Sequence, residues 1–202
     1  MNRQAFIMIT LVAGLLIAAT ASHAQPDYSR PGPYVGLGVA VAVFTEAEDA
    51  AERELRALGY VADVSYDTGV GLDLVAGYRF HPHMAAQLHL QYLPDVGISE
   101  DGVEVLNPDF LTFTADLKGY LLTGRVQPYA LAGLGIMHLD SPDTPFFFPF
   151  DFTNFAARLG CGVDYYLTEN FVLNAEIGGV IPTGTLEDHE QFTFSAGLQY
   201  RF

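Results

Sequence analysis

Hydrophobic and polar residues alternate one by one in eight segments of the chain. The first segment, Tyr34 to Phe44, places Val35 and Leu37 on one face and Gly36 and Gly38 on the other. A period of two predicts a β-strand, and about ten residues suffice for a tilted strand to cross a membrane. The other segments are Gly69 to Phe80, Met84 to Leu93, Leu111 to Leu121, Val126 to Leu139, Asn154 to Tyr166, Phe171 to Gly178 and Gln191 to Phe202.

The two faces of these segments differ in a way that favours a membrane protein. In a soluble sandwich or lipocalin-like barrel, the apolar face is enclosed and charged residues face solvent on every strand. Here the polar face is rich in Gly and Ala, and nearly all other charge lies between the segments. We therefore predict an all-β fold, an eight-stranded antiparallel up-and-down transmembrane β-barrel. Both faces of the fifth segment are apolar or small, so its facing stays open.

Short turns and long loops alternate between the segments. The short connections are His81 to His83, Thr123 to Arg125 and Leu167 to Asn170. The long ones are Thr45 to Asp67, Pro94 to Pro108, Asp140 to Asp151 and Pro182 to Asp188. Because short turns of outer-membrane barrels face the periplasm, we expect both mature termini there, in a monomer.

The first long loop carries a helix signal. Thr45 followed by Glu48 is a capping-box pattern, and Gly59 is suited to end a helix. A stripe of apolar residues lies between them: Ala47, Ala51, Leu55 and Leu58. We expect a short extracellular helix that lies over the barrel mouth or binds a partner.

The amino terminus has the features of a secretory signal peptide. Arg3 is followed by an apolar run from Ala5 to Ala19 and by small residues from Ser22 to Ala24. The run is shorter than the roughly 20 residues of a membrane anchor. We expect residues 1–24 to be the signal peptide, 25–33 a periplasmic leader and 34–202 the outer-membrane barrel.

Composition narrows the partners. The formal net charge of the chain is -15, with 24 acidic residues against nine basic ones. Nucleic acid is therefore not an expected partner, because phosphate binding needs a basic face. Cys161 is the only cysteine, so no internal disulfide is expected.

Three further pieces of the sequence are rich in glycine and aromatic residues: Gly32 to Gly38, Pro128 to Gly135 and Gly197 to Phe202. They resemble the outer-membrane protein β-barrel family, which includes the membrane domain of outer-membrane protein A and porin-like surface antigens. The resemblance implies that Tyr200 and Phe202 form the signal read by the outer-membrane assembly machinery, with periplasmic chaperones as further partners. We expect no carboxy-terminal peptidoglycan-binding domain, so that activity of larger relatives does not transfer.

Eight charged residues fall on the predicted luminal face. They are Asp73, Arg79, Asp116, Lys118, Arg158, Asp164, Glu176 and Arg201. Four positive groups meet four negative ones in an interior just wide enough to be filled by side chains. Since unpaired buried charge is costly, we predict a mutually neutralising network, with a polar permeation path as the alternative.

No catalytic, cofactor or metal site is predicted. His89, His138, His189 and Ser195 are available to a membrane hydrolase, but their spacing matches no nucleophile elbow or triad. His81 and His83 lack further ligands for zinc. The long loops and their borders hold 18 of the 24 carboxylates, which either form a solvated surface or share divalent ions with lipopolysaccharide.

These observations together predict a non-enzymatic outer-membrane barrel with a structural or surface-interaction role. The alternative is a narrow porin-like channel or uptake route for a small solute, including an apolar one. The expected lasting partners are outer-membrane lipids and lipopolysaccharide. An external ligand is not identifiable from the loops, because recognition there follows no diagnostic pattern.

Overall fold

The fold is a closed β-barrel, seen in a computed structural model that describes residues 27–44, 64–66, 68–100, 103–141, 150–184 and 190–202. The described strands are β1 (Gly32–Phe44), β2 (Val64–Tyr66), β3 (Gly69–His81), β4 (Met84–Leu93), β5 (Ile98–Glu100), β6 (Val103–Leu106), β7 (Asp109–Tyr120), β8 (Val126–Ser141), β9 (Phe150–Tyr166), β10 (Phe171–Pro182) and β11 (Gln191–Arg201). The barrel runs β1, β3, β4, β7, β8, β9, β10, β11 and closes on β1, all antiparallel. The predicted eight-stranded architecture is confirmed.

A second, small sheet lies within the connections. Strands β2, β5 and β6 pair in that order, so two loops of the chain meet in one three-stranded sheet. Segments of three or four residues are too short to show a period of two, which is why the alternation pattern gives no sign of them. The predicted helix between Thr45 and Gly59 lies outside the described residues, among which no helix is long and apolar enough to cross a membrane.

Side chains alternate between the outer wall and the lumen along every barrel strand. On β1, Val35, Leu37 and Val39 are exposed on the outside, whereas Tyr34 and Ala40 are buried inside. This alternation follows from the pleat, which turns successive side chains to opposite faces. The outer wall is apolar over the whole barrel, as lipid contact requires.

The fifth barrel strand, β8, shows why its facing was ambiguous. Its inward residues include Tyr129, Leu131 and Met137, and its outward residues include Leu134 and Ile136. Leu131 belongs to an aromatic and apolar cluster near one end of the lumen, and Met137 to a second such cluster near the other end. Because inward-facing residues of β8 contribute to both clusters, the luminal face of this strand is as apolar as its outer face, and polarity does not distinguish the two.

The two ends of the barrel differ: one holds both ends of the barrel chain, and the other holds the longer connections. The terminal mouth is the end where Tyr34 of β1 pairs with Arg201 of β11, so the strand that begins the barrel and the strand that ends it meet there. The loop mouth is the opposite end, where the longer connections lie. An apolar plug fills the lumen beside the loop mouth: Ala40, Ala42, Phe44, Leu93, Val96, Phe110, Met137, Leu139, Ala156 and Val180.

Candidate functional site: a charged network in the barrel lumen

Arg158 lies in the lumen between two carboxylates. Its Nη1 atom donates to Oδ2 of Asp116 at 2.5 Å, and its Nη2 atom donates to Oε1 of Glu176. The three side chains come from β9, β7 and β10 and are almost wholly buried. Close opposite charges of this kind are what a buried ion needs to offset the loss of water. We call these three residues the central triad.

Neutral groups complete the hydrogen bonding of the central triad. Thr114 Oγ1 donates to Asp116 Oδ1 at 2.7 Å, and Gln87 Nε2 donates to Asp116 Oδ2 at 3.1 Å. The Tyr129 hydroxyl donates to Glu176 Oε2 at 2.7 Å. Each carboxylate therefore has both oxygens bonded, which stabilises the charged form in a site with little water.

Glycine on the facing strand makes room for the triad. Gly133 of β8 pairs with Arg158 of β9 and with Asp116 of β7, and a β-carbon at Gly133 would contact the Asp116 carboxylate. Gly77 likewise makes room for Tyr34, because the Tyr34 ring occupies the place of a β-carbon at Gly77. At these two luminal positions, glycine is thus explained by the close approach of a neighbouring side chain.

A second ion pair joins Lys118 to Asp164. The Lys118 ammonium lies 3.1 and 3.2 Å from the two Asp164 oxygens, and the Tyr120 hydroxyl donates to Oδ2 at 3.0 Å. The ammonium also lies 3.5 Å from the centre of the Tyr129 ring, a cation–π geometry. Tyr129 contacts both Lys118 and Glu176 and so links this pair to the central triad.

Asp73 has a different environment from the other carboxylates. Gln91 Nε2 donates to its Oδ1 atom at 3.1 Å. His89 Nε2 lies 3.2 Å from the same oxygen, but at angles outside hydrogen-bonding geometry, so the two groups are close without forming a hydrogen bond. A cavity of about 20 Å³ adjoins Asp73 and His89. That volume has room for about one water.

Arg79 and Arg201 lie apart from these carboxylates, at the terminal mouth. Both donate through Nη1 to the Tyr166 hydroxyl, at 3.0 and 2.9 Å, and both donate to the backbone oxygen of Tyr28. Arg79 also donates to Gln127 Oε1 at 2.7 Å. Among the described residues, neither guanidinium has a carboxylate within ion-pair distance. The prediction of one network with four pairs therefore needs correction: these two cations have neutral partners.

All eight predicted charged residues are luminal and buried, but they form four groups rather than one. The groups are the central triad, the Lys118 pair, Asp73 with its amide and imidazole neighbours, and the two arginines at the terminal mouth. Sequence reasoning missed the neutral members. These are Tyr34, Gln87, His89, Gln91, Thr114, Tyr120, Gln127, Tyr129 and Tyr166. For all of them except Gln127 and Tyr129, the alternation of polar and apolar residues indicates that the side chain faces the lumen.

The two residues of the expected assembly signal lie on the outer wall. The Tyr200 ring packs edge to face against Phe171 and Phe202, at 5.2 and 5.0 Å between centroids. Phe202 remains 61% exposed. Aromatic side chains at this height form the girdle that outer-membrane barrels place at a membrane interface.

An apolar outer wall around a polar, charge-filled lumen defines a transmembrane barrel of the outer-membrane type. The sequence comparison agrees with that class. The chain belongs to the family described as the outer membrane protein beta-barrel domain, which it matches over residues 11–202. The protein is thus assigned to the bacterial outer membrane.

Several solved structures share the fold. Neisserial surface protein A matches with a TM-score of 0.62 at 17% identity, covering 85% of this chain and 97% of that one. Ail, the attachment invasion locus protein of Yersinia pestis, matches at 0.54 and 18%, covering 85% and 99%. The N-terminal barrel domain of Pseudomonas aeruginosa OprF matches at 0.54 and 15%, covering 86% and 100%. No curated protein sequence matches the chain.

Proposed function

We propose that this chain is a non-enzymatic barrel with a closed lumen and a structural or surface-interaction role in the cell envelope. The observation that carries the proposal is the central triad, in which Arg158 bridges Asp116 and Glu176 across the lumen. The Lys118 pair and the apolar plug add two further obstructions. A barrel filled in this way supports a rigid membrane pillar better than a water-filled pore.

Orientation belongs to the same proposal. The short turns between β3 and β4 and between β9 and β10 lie at the terminal mouth, together with both ends of the barrel chain. We place this mouth in the periplasm, because outer-membrane barrels keep short turns there. The loop mouth, with its acidic connections, then faces the exterior. Protease treatment of intact cells that cleaved the chain near Tyr28 would contradict this orientation.

Conductance in a planar bilayer tests the closed lumen. The purified barrel should give no stable single-channel steps, and Arg158→Ala should give none either unless the lumen refills with water. Resolved steps in the native protein whose ion selectivity changed with Arg158→Ala would support the channel instead. Gly119→Ala is a matched control, because Gly119 faces the outer wall, where a new β-carbon would meet only the Ala130 carbonyl oxygen at 3.9 Å.

One observation favours the uptake alternative in a restricted form. The plug beside the loop mouth is apolar, so a solute that entered there would be small and apolar rather than ionic. Entry requires the plug to rearrange, because Phe44 and Phe110 pack together within it at 4.9 Å. Uptake of a small apolar dye into liposomes, compared between native protein and Met137→Phe, separates this alternative from a closed pillar.

Loop charge defines the partner we propose for a surface-interaction role. Ail was solved in complex with the heparin analogue sucrose octasulfate. The long connections of the present chain and their borders hold 18 of its 24 carboxylates, and these repel sulfated ligands. We therefore propose cationic surfaces, or divalent cations shared with lipopolysaccharide phosphates, as partners. Binding of a sulfated sugar in preference to polylysine by the barrel in nanodiscs would overturn this charge argument.

The interior also supports a non-enzymatic role. Ser195, His89 and Asp73 adjoin the same luminal cavity, so a serine, an imidazole and a carboxylate do come near one another. The cavity has room for about one water and none for an acyl chain or a peptide. Deacylation of lipid A by the purified barrel, lost on Ser195→Ala, would contradict this part of the proposal.

Assembly completes the proposed function. Tyr200 and Phe202 lie on the outer wall, where an assembly factor can reach them before the barrel is inserted. Deleting Phe202 should lower the fraction of protein that resists urea extraction from membranes. Phe194→Leu is the matched control, because Phe194 is another lipid-facing aromatic residue of β11. Equal assembly of both variants would remove the special role of the carboxy-terminal pair.

A further inference from the structure

The segment before β1 turns inward across the terminal mouth. Residues 27–31, the described part of the predicted leader that precedes β1, lie before Gly32 on one side of the barrel and are called the leader from this point. The Tyr28 ring packs against Tyr166, which belongs to β9, three strands away from β1 around the barrel, at 5.1 Å between centroids. The leader therefore spans the mouth rather than continuing the direction of its strand.

One backbone oxygen in the leader has three donors. The carbonyl of Tyr28 accepts from Arg201 Nη1 at 2.7 Å, and from Arg79 Nη1 and Gln127 Nε2 at 3.3 Å each. The carbonyl of Arg30 accepts from Arg201 Nη2. These contacts use the backbone of the leader, so they depend on its path more than on its side chains.

The two arginines come from the strands on either side of β1. Arg79 is on β3 and pairs in register with Gly32, and Arg201 is on β11 and pairs with Tyr34. The leader is thus held by both neighbours of the strand it precedes. The backbone N–H of Phe202 also donates to the Pro33 carbonyl at 3.1 Å, across the seam between β1 and β11 at the terminal mouth.

The charge of this site fits backbone oxygen better than any other described partner. Arg79 and Arg201 are 0% and 3% exposed. Buried cations without carboxylates need strong neutral acceptors, and carbonyl groups supply them. Removing the leader would leave both guanidinium groups short of acceptors.

We propose that Arg79 and Arg201 form a clasp that holds the leader across the terminal mouth and thereby locks the seam between β1 and β11. The leader is then a structural part of the barrel that closes its terminal end. Its amino-acid identity matters little, whereas the presence of chain at the Tyr28 and Arg30 carbonyls is required.

Proteolysis tests whether the clasp holds the leader. Chymotrypsin cleaves after aromatic residues and must bind the Tyr28 carbonyl that the clasp occupies. Cleavage after Tyr28, followed by intact mass on the full barrel in detergent, should be slow in the native protein. It should be at least about tenfold faster in Arg79→Gln/Arg201→Gln, since two charged donors are lost. Arg125→Gln is the control, because Arg125 binds the Tyr166 and Leu167 carbonyls instead.

Hydrogen exchange tests whether the clasp locks the seam. Amides of β1 and β11 near the terminal mouth should exchange about tenfold faster in the double variant, while those of the β7–β8 pair stay unchanged. A deletion of residues 27–30 leaves every barrel residue intact and should act like the double variant, even if that variant assembles poorly. Unchanged seam exchange, or an equal rise in all strand pairs, would overturn the proposal, as would fast native cleavage after Tyr28.

Discussion

The centre of the lumen and its terminal mouth bury cations in different ways. In the centre, Arg158 is flanked by two carboxylates that it neutralises directly. At the terminal mouth, Arg79 and Arg201 share hydroxyl, amide and carbonyl oxygens, with no described carboxylate in contact. Arginine thus serves once as a cation paired with two carboxylates and twice as a donor of several hydrogen bonds to neutral groups.

This difference decides what a substitution leaves behind. Removing Arg158 leaves two buried carboxylates without their counter-ion, an expensive state in a dry site. Removing Arg79 leaves only neutral acceptors, which accept other donors or a water at lower cost. Burial alone would rank these residues as equals, whereas the charge of the remaining partners predicts unequal losses.

The largest expected effect is that of Arg158→Ala. We expect the free energy of unfolding to fall by roughly 3–5 kcal/mol, the usual loss when one partner of a buried pair is removed. Thermal unfolding in detergent measures it. Arg125→Ala is the control, since an exposed arginine contributes at most about 1 kcal/mol.

A compensated variant sharpens the comparison. Replacing the whole central triad with neutral residues, Asp116→Asn, Arg158→Met and Glu176→Gln, should recover most of the stability lost in Arg158→Ala, because no uncompensated charge remains. If the triple variant is as unstable as Arg158→Ala, packing rather than charge dominates the centre.

Gly133→Ala comes next, with an expected loss of about 1–3 kcal/mol from overpacking. The added β-carbon contacts the Asp116 carboxylate and displaces it from Arg158. Gly119→Ala is the matched control, where the nearest atom to a new β-carbon is the Ala130 carbonyl oxygen at 3.9 Å. Equal melting temperatures for both variants would mean that the centre tolerates a shift of the carboxylate.

At the terminal mouth, Arg79→Gln should cost less than Arg158→Ala, about 1–2 kcal/mol, because only hydrogen bonds to neutral groups are lost. The glutamine amide can still donate to one of the same oxygens. Melting of the two variants side by side under identical detergent conditions gives the comparison. A loss for Arg79→Gln as large as that for Arg158→Ala would show that both sites depend on charge alike.

The smallest effect is expected from Asp27 in the leader. Hydrogen bonds from Ser29 lower the pKa of this carboxyl below its ordinary value of 3.8, with a lesser contribution from Arg201 and Arg79. A lowered folded pKa stabilises the fold above that ordinary value, and the benefit is lost as the pH falls through the folded pKa. Because the group is exposed, Asp27→Asn should change melting only slightly at pH 5, and the difference should shrink as the pH falls through the folded pKa. An NMR titration of the carboxyl measures the pKa directly.

Much of the barrel was predictable because one physical rule governs all its strands. The period of two placed Val35 and Leu37 outside and the luminal charges inside, since lipid and lumen demand opposite polarity. The rule fails for β8, where Leu131 and Met137 belong to apolar clusters inside the lumen. Polarity then no longer reports direction.

The grouping of the charges was less predictable. Alternation tells which face a residue occupies, but not its height or its partner across the lumen. Arg158 and Glu176 meet because their strands, β9 and β10, are neighbours in a particular register. Arg79 instead contacts the Tyr120 ring and the Tyr166 hydroxyl, and no described carboxylate. The leader was expected only as a periplasmic segment before the barrel, because its contacts use backbone carbonyls that every residue possesses.

The pairing of β1 with β11 also sets a requirement on how the barrel forms. The other seven strand pairs join barrel strands that follow one another along the chain. This pair joins the first barrel strand to the last, for example Tyr34 to Arg201. Contacts between distant residues carry the larger loop-closure entropy and slow folding. We therefore expect the hairpins to form early and independently, and the seam to form last. A chain cut short before β11 would leave one edge of β1 and one edge of β10 unpaired, and open sheet edges of this kind cannot persist in lipid.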